Sequence, residues 1–293
     1  MTGAERGFLL LSSHLGVSDR KILTTAQLRY LGQRVREMEN PRQDRELTEE
    51  DLLKLGYGRE KAGQILRLLE DSEILDYYLS RAKAEGCVPV TRVSKDYPLL
   101  LRRRLGEDAP GCLWAKGDLS LLNAPAVSLV GSRELEEENG RFAEAVGAFA
   151  ARQGLTLISG NARGADKRAQ NACRKAGGSV ISIVADELTH HREKERMLYL
   201  SEDGFSEAFS AQRALSRNRC IHAMGRMVFV AQSDLKKGGT WQGTTANLRH
   251  SWSPVLCFRD GSEASYALEQ LGAYLIGTEE IPEFDLSEQM TII

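Results

Sequence analysis

This 293-residue chain lacks the patterns that mark several classes of protein. Its five cysteines are odd in number, widely spaced and never arranged as C-x-x-C, which argues against a disulfide framework and a zinc site. No window approaches the roughly 18 apolar residues of a membrane span, and the apolar patch at residues 8–11 is too short for a signal peptide. We therefore expect a cytoplasmic protein with reduced cysteines and no membrane contact.

Catalytic and metal-binding patterns are also scarce. The chain has five histidines, and neither a Ser-His-Asp order nor a paired-carboxylate motif stands out. The neighbours His190 and His191 cannot both face one ion from a regular element, so they are predicted to lie in a polar surface turn. We expect no enzyme activity, no metal and no cofactor.

What is present describes an ordinary globular protein, with 42% hydrophobic and 27% charged residues. The length favours a main domain with a smaller companion. The net charge of −2 is distributed unevenly, because residues 159–239 hold 14 Lys or Arg against 9 Asp or Glu. A positive surface is therefore predicted in the middle of the chain.

Residues 1–85 are predicted to form a helical domain, since apolar positions recur at helical spacing and Thr48 begins a capping box. Residues 56–65 in this domain fit the helix-hairpin-helix pattern G-h-G-x-x-x-A-x-x-I, in which helix N-terminal amides face a DNA phosphate. The alternative is a glycine-broken connection between two packed helices.

The middle of the chain predicts a different architecture. Residues 86–122 are predicted to be an ordered but irregular connection, and residues 278–293 an acidic tail. Between them, over residues 123–277, short apolar runs alternate with helical segments, which is typical of a parallel sheet covered on both faces. The predicted strands are residues 127–130, 155–158, 180–184, 227–230 and 255–258, and the predicted helices are 140–153, 165–176, 216–224, 245–250 and 262–271.

Four segments rich in glycine, hydroxyl and basic side chains follow these strands or begin these helices. The carboxyl edge of an open parallel sheet is where such proteins bind ligands, and helix N-termini there present unpaired amides. Asp166 is predicted to be a cap or a partner that orients Arg163. The candidate phosphate-binding residues are Gly131, Ser132, Arg133, Ser159, Gly160, Arg163, Gly164, Asp166, Arg217, Asn218, Arg219, Lys236, Lys237, Gly238, Gly239, Thr240 and Trp241.

The last of these segments is a predicted glycine-rich loop over residues 236–245. In this loop Trp241 either stacks on a base, a contact worth about 1–3 kcal/mol in single-strand binders, or packs beneath the loop.

Taken in order, these segments resemble the DprA/Smf family of DNA-processing proteins, whose central domain is an extended Rossmann fold. The resemblance is carried by Asp96-Tyr97-Pro98, Leu113-x-x-x-Gly117, Val130-Gly131-Ser132-Arg133, Ser159-Gly160-x-Ala162-Arg163-Gly164-x-Asp166, Arg217-Asn218-Arg219 and Gly238-Gly239-Thr240. It implies an α/β protein with an extended Rossmann-like parallel sheet and a small N-terminal helical domain. It also implies single-stranded DNA binding, a role in homologous recombination and natural transformation, a RecA-type recombinase as partner, and a homodimer.

The chain departs from the family pattern at several positions. Gln170 stands where the family often has His, and residues 185–191 replace the usual glycine and Tyr-Pro segment. The fourth loop differs too, and because only a short stretch follows Gly277 we expect no winged-helix domain of the kind that many relatives carry. Two other functions for the same pocket therefore stay open: a nucleotide-binding sensor, and a phosphoribohydrolase-like enzyme, whose loop carboxylate is missing here because no Asp or Glu lies between Asp234 and Asp260.

Overall fold

The computed structural model describes residues 1–17, 19–38 and 46–283. Its N-terminal part is helical, as predicted. The helices are α1 (Gly3–Ser12), α2 (Thr25–Arg36), α3 (Glu49–Lys54), α4 (Arg59–Glu70) and α5 (Ser72–Ala84). Side chains of Thr2, Thr24 and Thr48 cap the first three of these helices, each in a capping box that satisfies otherwise unpaired amides.

A mixed α/β layer follows. Its elements are β1 (Cys87–Thr91), α6 (Leu99–Leu105), β2 (Cys112–Gly117), β3 (Ala126–Val130), α7 (Glu137–Arg152), β4 (Thr156–Ser159), α8 (Ala165–Lys175), β5 (Ser179–Ile183), β6 (Met197–Ser201), α9 (Ala211–Met224), β7 (Val228–Val230), α10 (Gly238–His250), β8 (Val255–Phe258), α11 (Glu263–Gln270) and β9 (Tyr274–Ile276). The strands that the described residues contribute form one nine-stranded sheet in the order β1-β2-β6-β5-β4-β3-β7-β8-β9.

The seven strands from β3 to β9 are parallel, whereas β1 and β2 add an antiparallel pair at one edge. The chain begins the parallel sheet at β3, builds outward through β4, β5 and β6, and then returns to the other side of β3 with β7. The order of strands thus reverses between β3 and β7. In open α/β sheets this reversal opens a crevice at the carboxyl ends of the two strands.

Helices cover both faces of the sheet, which explains why all five residues of β3 are buried. Val127 and Leu129 point into the core under α7 and α8, while Ala126 and Val130 point into the core under α6 and α9. Helices α1 and α5 extend the first of these cores, and α1 to α4 share a smaller apolar cluster of their own. The predicted α/β fold class is confirmed.

Some local predictions were wrong. Residues 86–122 are not irregular, because they form β1, α6 and β2. The two strands extend the sheet. The sequence analysis also missed β6 and β9. The fourth segment is a helix from Gly238 onward rather than a loop to residue 245. The domain boundaries themselves remain predictions, and of the acidic tail only residues 278–283 are described, as a 3-10 helix, while 284–293 lie outside the described residues.

Candidate functional site

A pocket of about 550 Å³ lies at the point where the strand order reverses. We call it the switch-point pocket. Connections that follow β3, β4 and β7 line it together with the first half of α9 and the start of α10. The lining residues are Val130, Gly131, Ser132, Arg133, Glu134, Ala162, Arg163, Asp166, Phe209, Ala211, Ala214, Leu215, Arg217, Asn218, Ile221, Asp234, Lys237, Gly238, Gly239 and Thr240.

The structure thus brings all four predicted segments to one place. Eleven of the seventeen predicted residues line the pocket: Gly131, Ser132, Arg133, Arg163, Asp166, Arg217, Asn218, Lys237, Gly238, Gly239 and Thr240. The other six do not: Ser159, Gly160, Gly164, Arg219, Lys236 and Trp241.

Arg217 forms the inner wall of the pocket. Its residue exposure is only 7%, and its buried Nε has no hydrogen-bond partner among the described residues. Burial lowers the pKa of its guanidinium, and the neighbouring Asp166 carboxylate opposes that effect. An arginine remains charged in a protein at neutral pH, so the pocket holds a desolvated cation. A cation in that position attracts an anionic ligand, and its Nε is a buried donor whose hydrogen-bonding capacity is not met by the described residues.

Gly160 explains how the arginine fits. A Cβ atom at this position would collide with the guanidinium group of Arg217. Gly160 therefore lies behind the pocket wall and makes room for the arginine, although it does not line the pocket itself.

Gly164 has a comparable role in the backbone. Its φ is +81°, and a Cβ there would collide with the Ser132 carbonyl oxygen. That carbonyl accepts a hydrogen bond from the Ala165 amide at 3.1 Å, which joins the connections that follow β3 and β4. The close approach of these two connections requires a residue without a side chain.

Asp166 lies in the first turn of α8, where no side-chain cap is found at the N-terminus among the described residues, and it holds the preceding turn instead. Its Oδ2 accepts a hydrogen bond from the Ala162 amide at 3.0 Å and so fixes the turn before α8. Burial raises the pKa of this carboxyl, and the positive charge of Arg217 works against the rise. The prediction that Asp166 orients Arg163 was wrong, because the Arg163 guanidinium pairs with the Glu134 carboxylate, with Nη2 and Oε1 3.3 Å apart.

The rim of the pocket is charged and exposed. Arg133, Arg163 and Lys237 are all exposed there. The α10 helix begins directly after Lys237, and no side chain caps its first amides. A helix start of this kind leaves N–H groups unpaired and carries a partial positive charge, which adds to the basic side chains.

The predicted residues outside the pocket have other partners. Ser159 is fully buried and accepts a hydrogen bond from Gln170 at 2.6 Å, and Gln170 also donates to Ser182 at 2.9 Å. Lys236 is exposed beside the pocket, with a φ of +58°. Trp241 is partly buried and packs against the core that α9 covers, while base stacking by this residue stays a prediction.

Arg219 faces away from the switch-point pocket. Its Nη2 lies 3.1 Å from the Glu202 carboxylate, so its charge is neutralised inside the protein. Consecutive helix residues are about 100° apart, and two arginines two positions apart therefore point to different sides of the helix.

Sequence reasoning missed several lining residues. Phe209 is 57% exposed and Leu215 is 41% exposed, and together with Ala214 they give the pocket an apolar side. Glu134 and Asp234 also line it. Phe209 could have been found from the sequence, because it is an aromatic residue in the polar stretch before α9. Leu215 could not, because the side of the helix on which it lies depends on where α9 begins.

The helix-hairpin-helix segment has the expected local shape. The chain turns between α3 and α4 at Gly56, whose φ is +87°, and no side chain caps α4. Residues 46–70 contain six Asp or Glu against four Lys or Arg. An excess of acids opposes binding of a phosphate backbone, whereas the lining of the switch-point pocket holds four Lys or Arg against three Asp or Glu.

The fold and the pocket define a class: a doubly wound, Rossmann-like protein with a buried arginine in the pocket where its strand order reverses. Residues 89–281 match the sequence profile of the family described as DNA recombination-mediator protein A, and this chain belongs to that family.

Curated relatives are DNA processing and Smf proteins. The chain is 30% identical over 193 residues to the DNA processing protein DprA of Streptococcus pneumoniae, a match that covers 61% of this chain and 68% of that protein. It is 27% identical over 171 residues to DprA of Bacillus subtilis (55% of this chain, 57% of the relative) and 28% identical over 187 residues to protein Smf of Escherichia coli (59% and 50%). The matches with the last two relatives thus span between half and three fifths of their length.

Solved structures show the same fold. DprA of Streptococcus pneumoniae superposes with a TM-score of 0.72 at 23% identity, covering 98% of this chain and 99% of that one. DNA processing protein A of Helicobacter pylori, studied for its single-stranded DNA binding mode, gives a TM-score of 0.54 at 21% identity over 70% of this chain and 94% of that one. No helix in residues 1–17, 19–38 and 46–283 is both long and apolar enough to cross a membrane.

Proposed function

We propose that this chain binds single-stranded DNA through backbone phosphates in the switch-point pocket, and that it acts there as a recombination mediator without catalysing a reaction. The observation that carries the proposal is Arg217, a buried cation that lines a pocket with basic side chains at its mouth. Within the part of the chain that the structure describes, its Nε has no hydrogen-bond partner. The single-stranded DNA binding of the Helicobacter pylori relative supports it.

The apolar side of the pocket favours a single strand over a duplex. Phe209 is exposed at the mouth, where an unpaired base can stack on it, and Leu215 continues this surface. A duplex keeps its bases inside and is too stiff to follow a pocket at a sheet edge. We therefore expect affinity to be largely independent of sequence, sensitive to salt and higher for single strands.

The partners are part of the proposal. A RecA-type recombinase is the expected protein partner, since the family is one of recombination mediators. A homodimer is expected as well. The exposed side chains of Tyr266, Leu271 and Tyr274, which cluster around α11 and β9 at one end of the sheet, support an interface between two copies.

The test compares binding of labelled single-stranded and duplex oligonucleotides of equal length, by fluorescence anisotropy at several salt concentrations. Arg217→Ala and Arg163→Ala each remove a charge-assisted contact worth roughly 1.5–3 kcal/mol, so single-strand affinity should fall about tenfold or more. The slope of log affinity against log salt should become shallower by about 0.7 for each lost phosphate contact.

Arg174→Ala is the matched control, because Arg174 lies in the last turn of α8, at the opposite end from the pocket. If the Arg217 and Arg163 variants fold normally but bind with the affinity and salt slope of the Arg174 variant, the pocket is not the DNA site. Equal or tighter binding of the duplex would contradict the preference for single strands. Steady release of base from nucleoside monophosphates would favour the enzyme alternative.

A further inference from the structure

A second depression, which we call the α9–α10 groove, lies beside the switch-point pocket. It has a volume of about 330 Å³, within the usual range for small-ligand pockets. Its walls include Gln212, Leu215 and Arg219 from α9, Gly239 and Gln242 from α10, and Trp252 from the turn after α10. None of the functions described above uses this groove.

We propose that the α9–α10 groove binds a nucleobase of the same DNA strand whose phosphate occupies the switch-point pocket. This inference rests on the proposed function, which it extends by a base-binding subsite. The two depressions share Leu215 and Gly239 as common walls. A strand held in the pocket therefore has only the exposed Leu215 side chain to cross before its next base reaches the groove.

The charge of the groove suits a neutral base better than a phosphate. Its one arginine, Arg219, is held by the Glu202 carboxylate at 3.1 Å, and Glu202 has a side-chain exposure of only 8%. The pair leaves little net positive charge to attract a second phosphate. The phosphate-binding charges are thus confined to the neighbouring pocket.

The remaining walls offer what a base needs. Gln212 and Gln242 are exposed on opposite helices, and each side-chain amide both donates and accepts hydrogen bonds. Trp252 supplies an aromatic surface whose orientation is fixed, since it packs on the core and stacks on His250 with ring centroids 5.4 Å apart and an interplanar angle of 11°. Aromatic and amide groups together provide stacking and edge contacts.

The experiment measures affinity for three single-stranded probes of equal length: a thymidine oligomer, an adenosine oligomer and an abasic oligomer. Trp252→Leu should weaken binding of the thymidine oligomer about fivefold or more, whereas affinity for the abasic oligomer and the salt slope should stay unchanged. Gln242→Ala should reduce the difference between the two base-containing probes.

Trp241→Leu is the matched control. Trp241 and Trp252 are both partly buried and pack against the same core, but only Trp252 lines the groove. Equal losses in the two tryptophan variants, or an equal loss for the abasic probe, would overturn the proposal and leave only a structural role for Trp252.

Failure of the proposed function gives a different result. A wild-type protein that binds all three probes equally, and loses that binding in Arg217→Ala, supports the phosphate site and refutes the base subsite. A wild-type protein that binds none of the probes refutes both.

Discussion

Two glycines, Gly160 and Gly164, provide the space in which the candidate site is built. The guanidinium of Arg217 occupies the space that a Cβ at position 160 would fill, and the turn beside it has the positive φ of Gly164. Both glycines lie behind the surface that a ligand would touch. A side chain added to either would act on the ligand through the displaced arginine or the displaced turn.

Gly160→Ala should therefore behave like a loss of Arg217. The added methyl group would push the guanidinium from its place, so single-strand affinity should fall about tenfold while the far-ultraviolet circular dichroism stays native. Binding measured for Gly160→Ala, Arg217→Ala and the double variant should show that the double variant is no weaker than Arg217→Ala alone. Gly32→Ala, at a helix position with open space around it, serves as the control, and additive losses would contradict the prediction.

His222 makes a prediction about pH. It is fully buried, its Nδ1 lies 3.2 Å from the Asn247 amide nitrogen, and its Nε2 has no hydrogen-bond partner in residues 1–17, 19–38 and 46–283. Burial lowers the pKa of its imidazole to about 3. Below the pKa of the unfolded chain, near 6.5, only the unfolded state takes up the proton, so the folded protein loses stability as pH falls from that value towards 3.

His222→Gln should remove this contribution. Between pH values of about 7.5 and about 5.5, the free energy of unfolding of the wild type should fall by ~1.4 kcal/mol more than that of the variant. Urea denaturation at both pH values measures the difference. The other titrating groups are common to the two proteins. If the wild type and the variant show the same pH dependence, His222 takes up its proton in the folded state as readily as in the unfolded state, which would contradict the prediction.

At the scale of elements, different sides of α9 line the switch-point pocket and the α9–α10 groove. Arg217 and Asn218 face the switch-point pocket, while Arg219 turns to Glu202 and the α9–α10 groove. Sequence reasoning treated the three residues as one motif because they are adjacent, and it placed all of them on phosphate. The helical twist separates them, and only the position of α9 against the sheet shows which side is which.

Arg219→Ala should consequently affect stability and not phosphate binding. It leaves the nearly buried Glu202 carboxylate without its cation, which should lower the free energy of unfolding by about 1–3 kcal/mol. The salt slope of DNA binding should match that of the wild type. Urea denaturation and the salt titration test both parts, and Glu202→Gln in the same chain should recover part of the lost stability. A shallower slope of log affinity against log salt in Arg219→Ala would show that Arg219 contacts a DNA phosphate, which would contradict the prediction.

The success of sequence reasoning also varied by element. Strands β3, β4, β5, β7 and β8 were predicted because each is an apolar run buried on both faces. β1 and β9 were missed because they are edge strands with exposed residues, and Pro89 also interrupts β1. β2 was missed because Lys116 and Gly117 shorten its apolar run. The start of α10 was taken for a loop because Gly238 and Gly239 have poor helix propensity, which the fold overrides.

For the whole molecule, the proposed dimer makes a test possible. The exposed side chains of Leu271 and Tyr274 lie at the β9 end of the sheet. Leu271→Glu with Tyr274→Glu should convert the expected dimer into a monomer, as measured by size-exclusion chromatography with light scattering. The control is Tyr77→Glu, because Tyr77 is 67% exposed on α5 in the helical N-terminal part. A dimer that survives the double change would place the interface elsewhere.

The two outer strands of the sheet differ in a way that bears on assembly. β1 forms one outer edge, and Pro89 in its centre offers no N–H to an incoming strand. β9 forms the other edge and contains no proline. Two copies that met edge to edge at β9 would therefore expose only proline-containing strands at the ends of the joined sheet. Such an assembly closes at two subunits and resists growth into a fibre.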